Sequence, residues 1–151
     1  MNSSARRVAV LGGIRIPFAR QNGPYARASN QDMMTATLEA LIAKFELADE
    51  TLGEVSAGGV LKHSRDFNLT RECVLGTRLD PHTPAYDVQQ ACGTGLEATI
   101  LTANKIALGQ IDSAIAGGVS VCCCAITWKQ PSLISTCDSR RCTSLVNCAL
   151  S

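Results

Sequence analysis

Hydrophobic and polar positions along this chain change their period several times, and each change marks an element. Arg7–Leu11 is rich in Val and alternates weakly, which predicts a buried strand. Residues 17–31 carry Pro17, Gly23, Pro24 and Asn30 and read as a loop. Ser29 with Asp32 forms a capping box, and the helix it opens places Met34, Leu38, Leu41, Ile42 and Phe45 on one face. Asp49–Leu52 turn the chain into a second strand, Glu54–Leu61. A second helix is expected over Asp66–Gly76, with Leu69, Cys73 and Val74 inward. Asp80, Pro81 and Pro84 make the next loop, and Ala85–Gln89 the third strand. A long helix then runs from just after Cys92 to Gly109, which stands where a C-terminal capping glycine belongs. Its apolar residues reach around most of the circumference, so burial on more than one side is expected. Ala114–Val119 is a fourth strand.

Strand and helix in alternation predict an α/β domain, a mostly parallel sheet with helices on both faces. The order weakens beyond Val119. Val121–Trp128 is compatible with a strand, but from Lys129 onward Ser, Thr, Cys and Pro dominate without a period. Cysteine usage shifts at the same place. Cys73 and Cys92 stand before it, whereas Cys122, Cys123, Cys124, Cys137, Cys142 and Cys148 follow. Asp138 is the sole acidic residue after Val119. Two kinds of sequence are therefore expected, joined near Ser120. Residues 1–119 form the folded unit, and 120–151 form an unrelated Cys-rich tail, frameshifted or alternatively spliced and poorly ordered.

Composition narrows the function classes. At 151 residues, with 46% hydrophobic and 18% charged, the chain is globular and long enough for a real core. A net charge of +1 gives no electrostatic reason for a nucleic-acid or anionic-membrane partner. One Trp, two Tyr and three Phe make no base-stacking platform. The polar start, Met1–Arg7, and the apolar run broken by Gly12, Gly13 and Arg15 are unlike a secretory signal. No stretch has the length of a membrane-spanning helix, so a cytoplasmic location is the expectation, with an organelle matrix as the alternative. The tail cysteines are poorly spaced for zinc and no histidine lies near them, so no metal is expected.

The run Tyr86-Asp87-Val88-Gln89-Gln90-Ala91-Cys92-Gly93-Thr94-Gly95-Leu96-Glu97-Ala98 carries the most chemistry. A thiol between a strand and a long helix meets the free N–H groups and positive end of that helix, which favour thiolate. Gly93 and Gly95 leave out side chains beside the sulfur, so a flat acyl group has room to approach. Cys92 is thus a candidate nucleophile for acyl transfer. A rival reading takes Gly93–Ala98 as G-x-G-x-x-A, a dinucleotide fingerprint. That fingerprint wants an acid at the end of the next strand, and here Ser120, Val121 and Cys122 follow. His63 and His82 are the only histidines, and each is read as a surface or capping residue rather than a base.

Together with Val8–Phe18, Asn68–Glu72 and Ile115–Val119, the Cys92 run resembles the thiolase family, in order and spacing, over about residues 6–119. The resemblance is to the N-terminal half of thiolases acting on acyl-CoA in fatty-acid oxidation. It implies a thiolase-like but incomplete fold and an acyl-CoA:acetyl-CoA C-acyltransferase, with Cys92 carrying the acyl group as a thioester. It also implies acyl-CoA and coenzyme A as substrates, no separate cofactor, and homo-oligomers in full-length members. Arg15 sits where such proteins place a structural turn, and Arg71 begins a helical stretch that packs or pairs internally, so neither is assigned to coenzyme A. The Asn-Glu, Gly-His-Pro and second Cys-x-Gly motifs of the family are not present in these 151 residues. The chain alone is therefore expected to be inactive in turnover, and a fragment that pairs with full-length subunits is the competing reading.

Overall fold

The computed structural model describes residues 6–19, 22–119 and 124–129. In chain order the described elements are β1 (Ala9–Arg15), α1 (Asn30–Phe45), β2 (Glu54–Ala57), α2 (Leu69–Leu75), β3 (Ala85–Asp87), α3 (Thr94–Ala107), β4 (Ser113–Gly118) and β5 (Cys124–Lys129). They form one sheet in the order β1-β5-β4-β2-β3. β2 lies parallel to both β3 and β4, while β5 runs antiparallel to β1 and β4. Four strands therefore share one direction and β5 opposes them. The sheet is mostly parallel, as expected.

Each face of the sheet carries helix. On one side Met34, Leu38, Leu41 and Ile42 of α1 and Leu69, Cys73 and Val74 of α2 form a single core with Val55, Ala57, Ile115 and Val119. On the other side α3 lies along β4 and β2, with Ala98, Thr102 and Ile106 buried. Period-two alternation explains the division: Val55 and Ile115 point to α1 and α2, leaving Glu54, Ser56, Ala114 and Ala116 for α3. The all-round burial of β2 follows from this double cover.

The expected capping box is present. Ser29 Oγ accepts from Asp32 N–H at 3.1 Å, and Asp32 Oδ2 accepts from Ser29 N–H at 2.8 Å. α1 stops at Glu46, which turns left-handed at φ 55°. Gly109 sits just past α3 at φ +74°, the conformation that suits glycine at a helix end.

Several boundaries move. β1 runs later than expected, through Gly12 and Gly13 to Arg15, with a register shift between Val10 and Gly12. β2 ends at Ala57 rather than Leu61, and β3 at Asp87 rather than Gln89. Just past both ends Gly58 meets the Val88 carbonyl, from which a Cβ on Gly58 would lie 1.9 Å, and Gly59 still bridges Val119. α2 begins after its N-cap Asn68, which accepts from Arg71 N–H at 3.2 Å. α3 is covered on one side rather than on several, since Leu96 is 67% exposed and Ile100 44%. The expected limit of the folded unit at residue 119 falls inside the sheet, because β5 is seated between β1 and β4. The remainder of the expected tail, residues 130–151, lies outside the described residues. No helix among the described residues is long and apolar enough to cross a membrane.

Candidate active site

The parallel strands β2, β3 and β4 end on the same edge of the sheet, and the chain leaving β3 turns there into α3. The turn is sharp. Ala91 adopts φ 44°, left-handed for a residue with a Cβ, at a cost of roughly 1–2 kcal/mol. Cys92 follows it, exposed, and Gly93 is the N-cap of α3. Cys92 therefore stands one position outside the helix, at the end where N–H groups lack helical partners.

Thr94 locks the helix side of this elbow. It is 4% exposed, accepts from Gln90 N–H at 2.9 Å and donates its hydroxyl to the Ala91 carbonyl at 2.8 Å. Gly93 N–H and Thr94 N–H close the turn onto the carbonyls of Gln90 and Ala91. The first turn of α3 also presses onto the sheet. A Cβ on Gly118 would lie 3.3 Å from Gly95 N and 3.4 Å from the Gly58 carbonyl oxygen. Glycines from β4, the exit of β2 and α3 thus let three backbones meet at the first turn of α3.

The glycines beside Cys92 act differently from the sequence expectation. The space left by Gly95 faces the backbone of Gly117, and that left by Gly93 faces the Gln90 carbonyl. They serve close packing of the elbow rather than an open approach to sulfur.

Asp87, which the sequence reading did not single out, holds the strand side. Its carboxylate accepts from Lys62 Nζ at 2.7 Å, Leu69 N–H at 3.0 Å and Thr70 N–H at 2.8 Å. Burial pushes its pKa up, but Lys62 and the amides of Thr70 and Leu69 outweigh it and hold the carboxyl below its usual value. Gln89 adds a bond from Nε2 to the Val60 carbonyl at 3.3 Å. No pattern in the local sequence signals these contacts, because each partner lies on another segment.

The remaining candidates sit where a structural role places them. His63 and His82 are exposed, and His82 pairs with Asp80, Nδ1 to Oδ1 at 2.8 Å. Arg71 donates to the carbonyls of Thr83 at 2.9 Å and Pro81 at 2.7 Å, pinning the loop before β3. Arg15 stacks on Phe18 at 3.8 Å from the ring centroid. Cys73 is buried in the core, its Sγ 3.7 Å from the Gln31 carbonyl. Among the described residues no group of three or more His, Cys, Asp or Glu is arranged to hold a metal.

A mixed five-stranded sheet with one opposed inner strand, covered by helices on both faces, places the chain among α/β proteins, with Cys92 at the turn from β3 into α3. The family model described as Thiolase, N-terminal domain, matches residues 8–136, and the chain belongs to the thiolase family. Similar curated proteins include the 3-ketoacyl-CoA thiolases of Shewanella sp. (strain W3-18-1) and Shewanella woodyi (strain ATCC 51908 / MS32). Each is 36% identical over 117 residues, covering 78% of this chain and 27% of that protein. The crystal structure of the Bacillus anthracis acetyl-CoA acetyltransferase shares the fold, with a TM-score of 0.71 and 21% identity over 78% of this chain and 30% of that one. The chain thus spans 27% of the length of these curated relatives. The family match extends through β5, past the limit expected from composition.

Proposed function

We propose that this chain is the nucleophile-bearing part of a 3-ketoacyl-CoA thiolase, acting on acyl-CoA thioesters in fatty-acid degradation, with Cys92 carrying the acyl group. The observation that supports this best is the exposed Cys92 at the mouth of α3, in a chain whose similar proteins are named 3-ketoacyl-CoA thiolases. The step is a transthioesterification. The Cys92 thiolate attacks the thioester carbonyl and a tetrahedral oxyanion forms. It collapses with cleavage of the bond to the coenzyme A sulfur, which leaves as a thiolate and takes a proton from solvent. By family resemblance the backbone N–H of Cys92 itself is a donor for the oxyanion.

Joining or cutting the carbon–carbon bond needs a base and a second acid. His63 and His82 are both exposed on loops. The expected result for the 151-residue chain is therefore slow, stoichiometric acylation without sustained turnover. Incubation with acetyl-CoA followed by intact-mass analysis should add one acetyl group, mapped to Cys92 and abolished by Cys92→Ala. Acetylation unaffected by that substitution would remove the basis of the reading.

A further inference from the structure

The strand side of the elbow is the lightest part of this architecture. β3 has three residues, lies at the sheet edge, and among the described strands pairs with β2 alone. Beyond it, Val88 N–H reaches the Ala57 carbonyl at 2.7 Å and Gln89 Nε2 the Val60 carbonyl at 3.3 Å, and the chain then enters Ala91 at φ 44°. Thr94 ties Gln90 and Ala91 to α3, but it does not tie them to the sheet. A strand end so weakly paired offers Ala91 an easy return to the right-handed region, and Cys92 would swing with it.

Asp87 stands at the point where this slack would enter. It is the last residue of β3, its side chain is 11% exposed, and all three of its bonds go to other segments. We infer that Asp87 is the positioning residue of the Cys92 elbow: by fastening the end of β3 to Lys62 and the start of α2, it holds Ala91 in its left-handed conformation. The consequence for acylation rests on the reading of Cys92 as nucleophile; the restraint itself does not. Lys62 contributes one arm of the anchor, while the Leu69 and Thr70 amides contribute the other.

Hydrogen exchange of the full 151-residue chain tests the restraint, followed by mass spectrometry on peptides covering 88–95 and 33–45. Asp87→Asn should speed exchange over 88–95 about tenfold, the scale of a left-handed residue's strain, and leave α1 unchanged. Adding Ala91→Gly should restore much of the protection, because glycine holds the left-handed conformation without strain. Lys62→Met should give a smaller acceleration. In parallel, acylation of Cys92 by acetyl-CoA should slow with Asp87→Asn and recover with Ala91→Gly.

If Asp87→Asn does not fold, Lys62→Met with and without Ala91→Gly makes the same comparison. Unchanged exchange over 88–95 overturns the inference. So does acceleration spread equally over α1, or acceleration that Ala91→Gly fails to reverse, since either makes Asp87 a general fold residue. A wild-type chain that is never acylated at Cys92 refutes the proposed function, while the exchange pattern still decides this inference.

Discussion

Asp80 gathers more bonds than its surface position suggests. The Thr51 hydroxyl, the His82 N–H and the His82 ring all converge on its carboxylate and lower its pKa to about 2. A carboxyl depressed from 3.8 in the folded state adds stability that is fully present above that value and is lost as pH falls towards 2. Thermal unfolding between pH 5 and pH 2 should therefore show a steeper fall for the wild type than for Asp80→Asn, with the two curves converging at the acid end. An equal slope in both would assign the acid sensitivity to other groups. The contrast with Cys92 is instructive about what a sequence reveals. The junction that carries Cys92 was legible, because strand, glycine and helix signals are all local. The Asp87 anchor and the Gly58–Gly95–Gly118 contact were not, because each is made by segments distant in the chain, and the left-handed Ala91 was not, because alanine carries no signal for that conformation.

Among the elements, α3 shows how a helix is aimed from both ends. Its first turn rests on glycines, and its last turn is held by Lys105, whose Nζ lies 2.6 Å from Glu54 Oε2 and 3.2 Å from the Tyr86 hydroxyl. Burial works against the Lys105 charge, yet Glu54 and Tyr86 outweigh it and raise its pKa. Glu54 is 6% exposed at the start of β2, so it depends on that partner. Lys105→Met should cost about 2 kcal/mol in chemical denaturation, below the usual buried-pair loss because the lysine is partly solvated. A further Glu54→Gln change should recover part of it, and a loss that Glu54→Gln deepens instead would show that the pair is not the cause. Element type was readable throughout from periodicity and caps, whereas β2 and β3 came out short. Apolar runs continue into Val60–Leu61 and Val88, but the chain beyond Ala57 keeps only single bridges such as Gly59 to Val119, and no local pattern encodes where a ladder thins to one bridge.

At the scale of the whole molecule, the outer side of α3 is the feature that composition predicted least well. Leu96 is 67% exposed, Ile100 44% and Leu108 69%, on a helix whose inner side is fully engaged. An apolar stripe of this kind drives association in water. Sedimentation across a concentration series should show self-association that Leu96→Glu with Ile100→Glu reduces, with a change in unfolding free energy of about 0.5 kcal/mol or less. Concentration-independent sedimentation of the wild type would show that the stripe is too narrow to act. Sheet order, too, was outside the reach of pattern reading. Alternation of strand and helix implies parallel neighbours, and it says nothing of a last strand that turns back and inserts between the first and the fourth. That insertion has a consequence in time. β1 is made first and β5 last, yet β5 is the strand to which β1 is bonded. As the chain leaves the ribosome, the ladder between β1 and β5 can form only once Cys124–Lys129 has emerged. That pairing is long-range in sequence, the kind of contact a chain finds slowly.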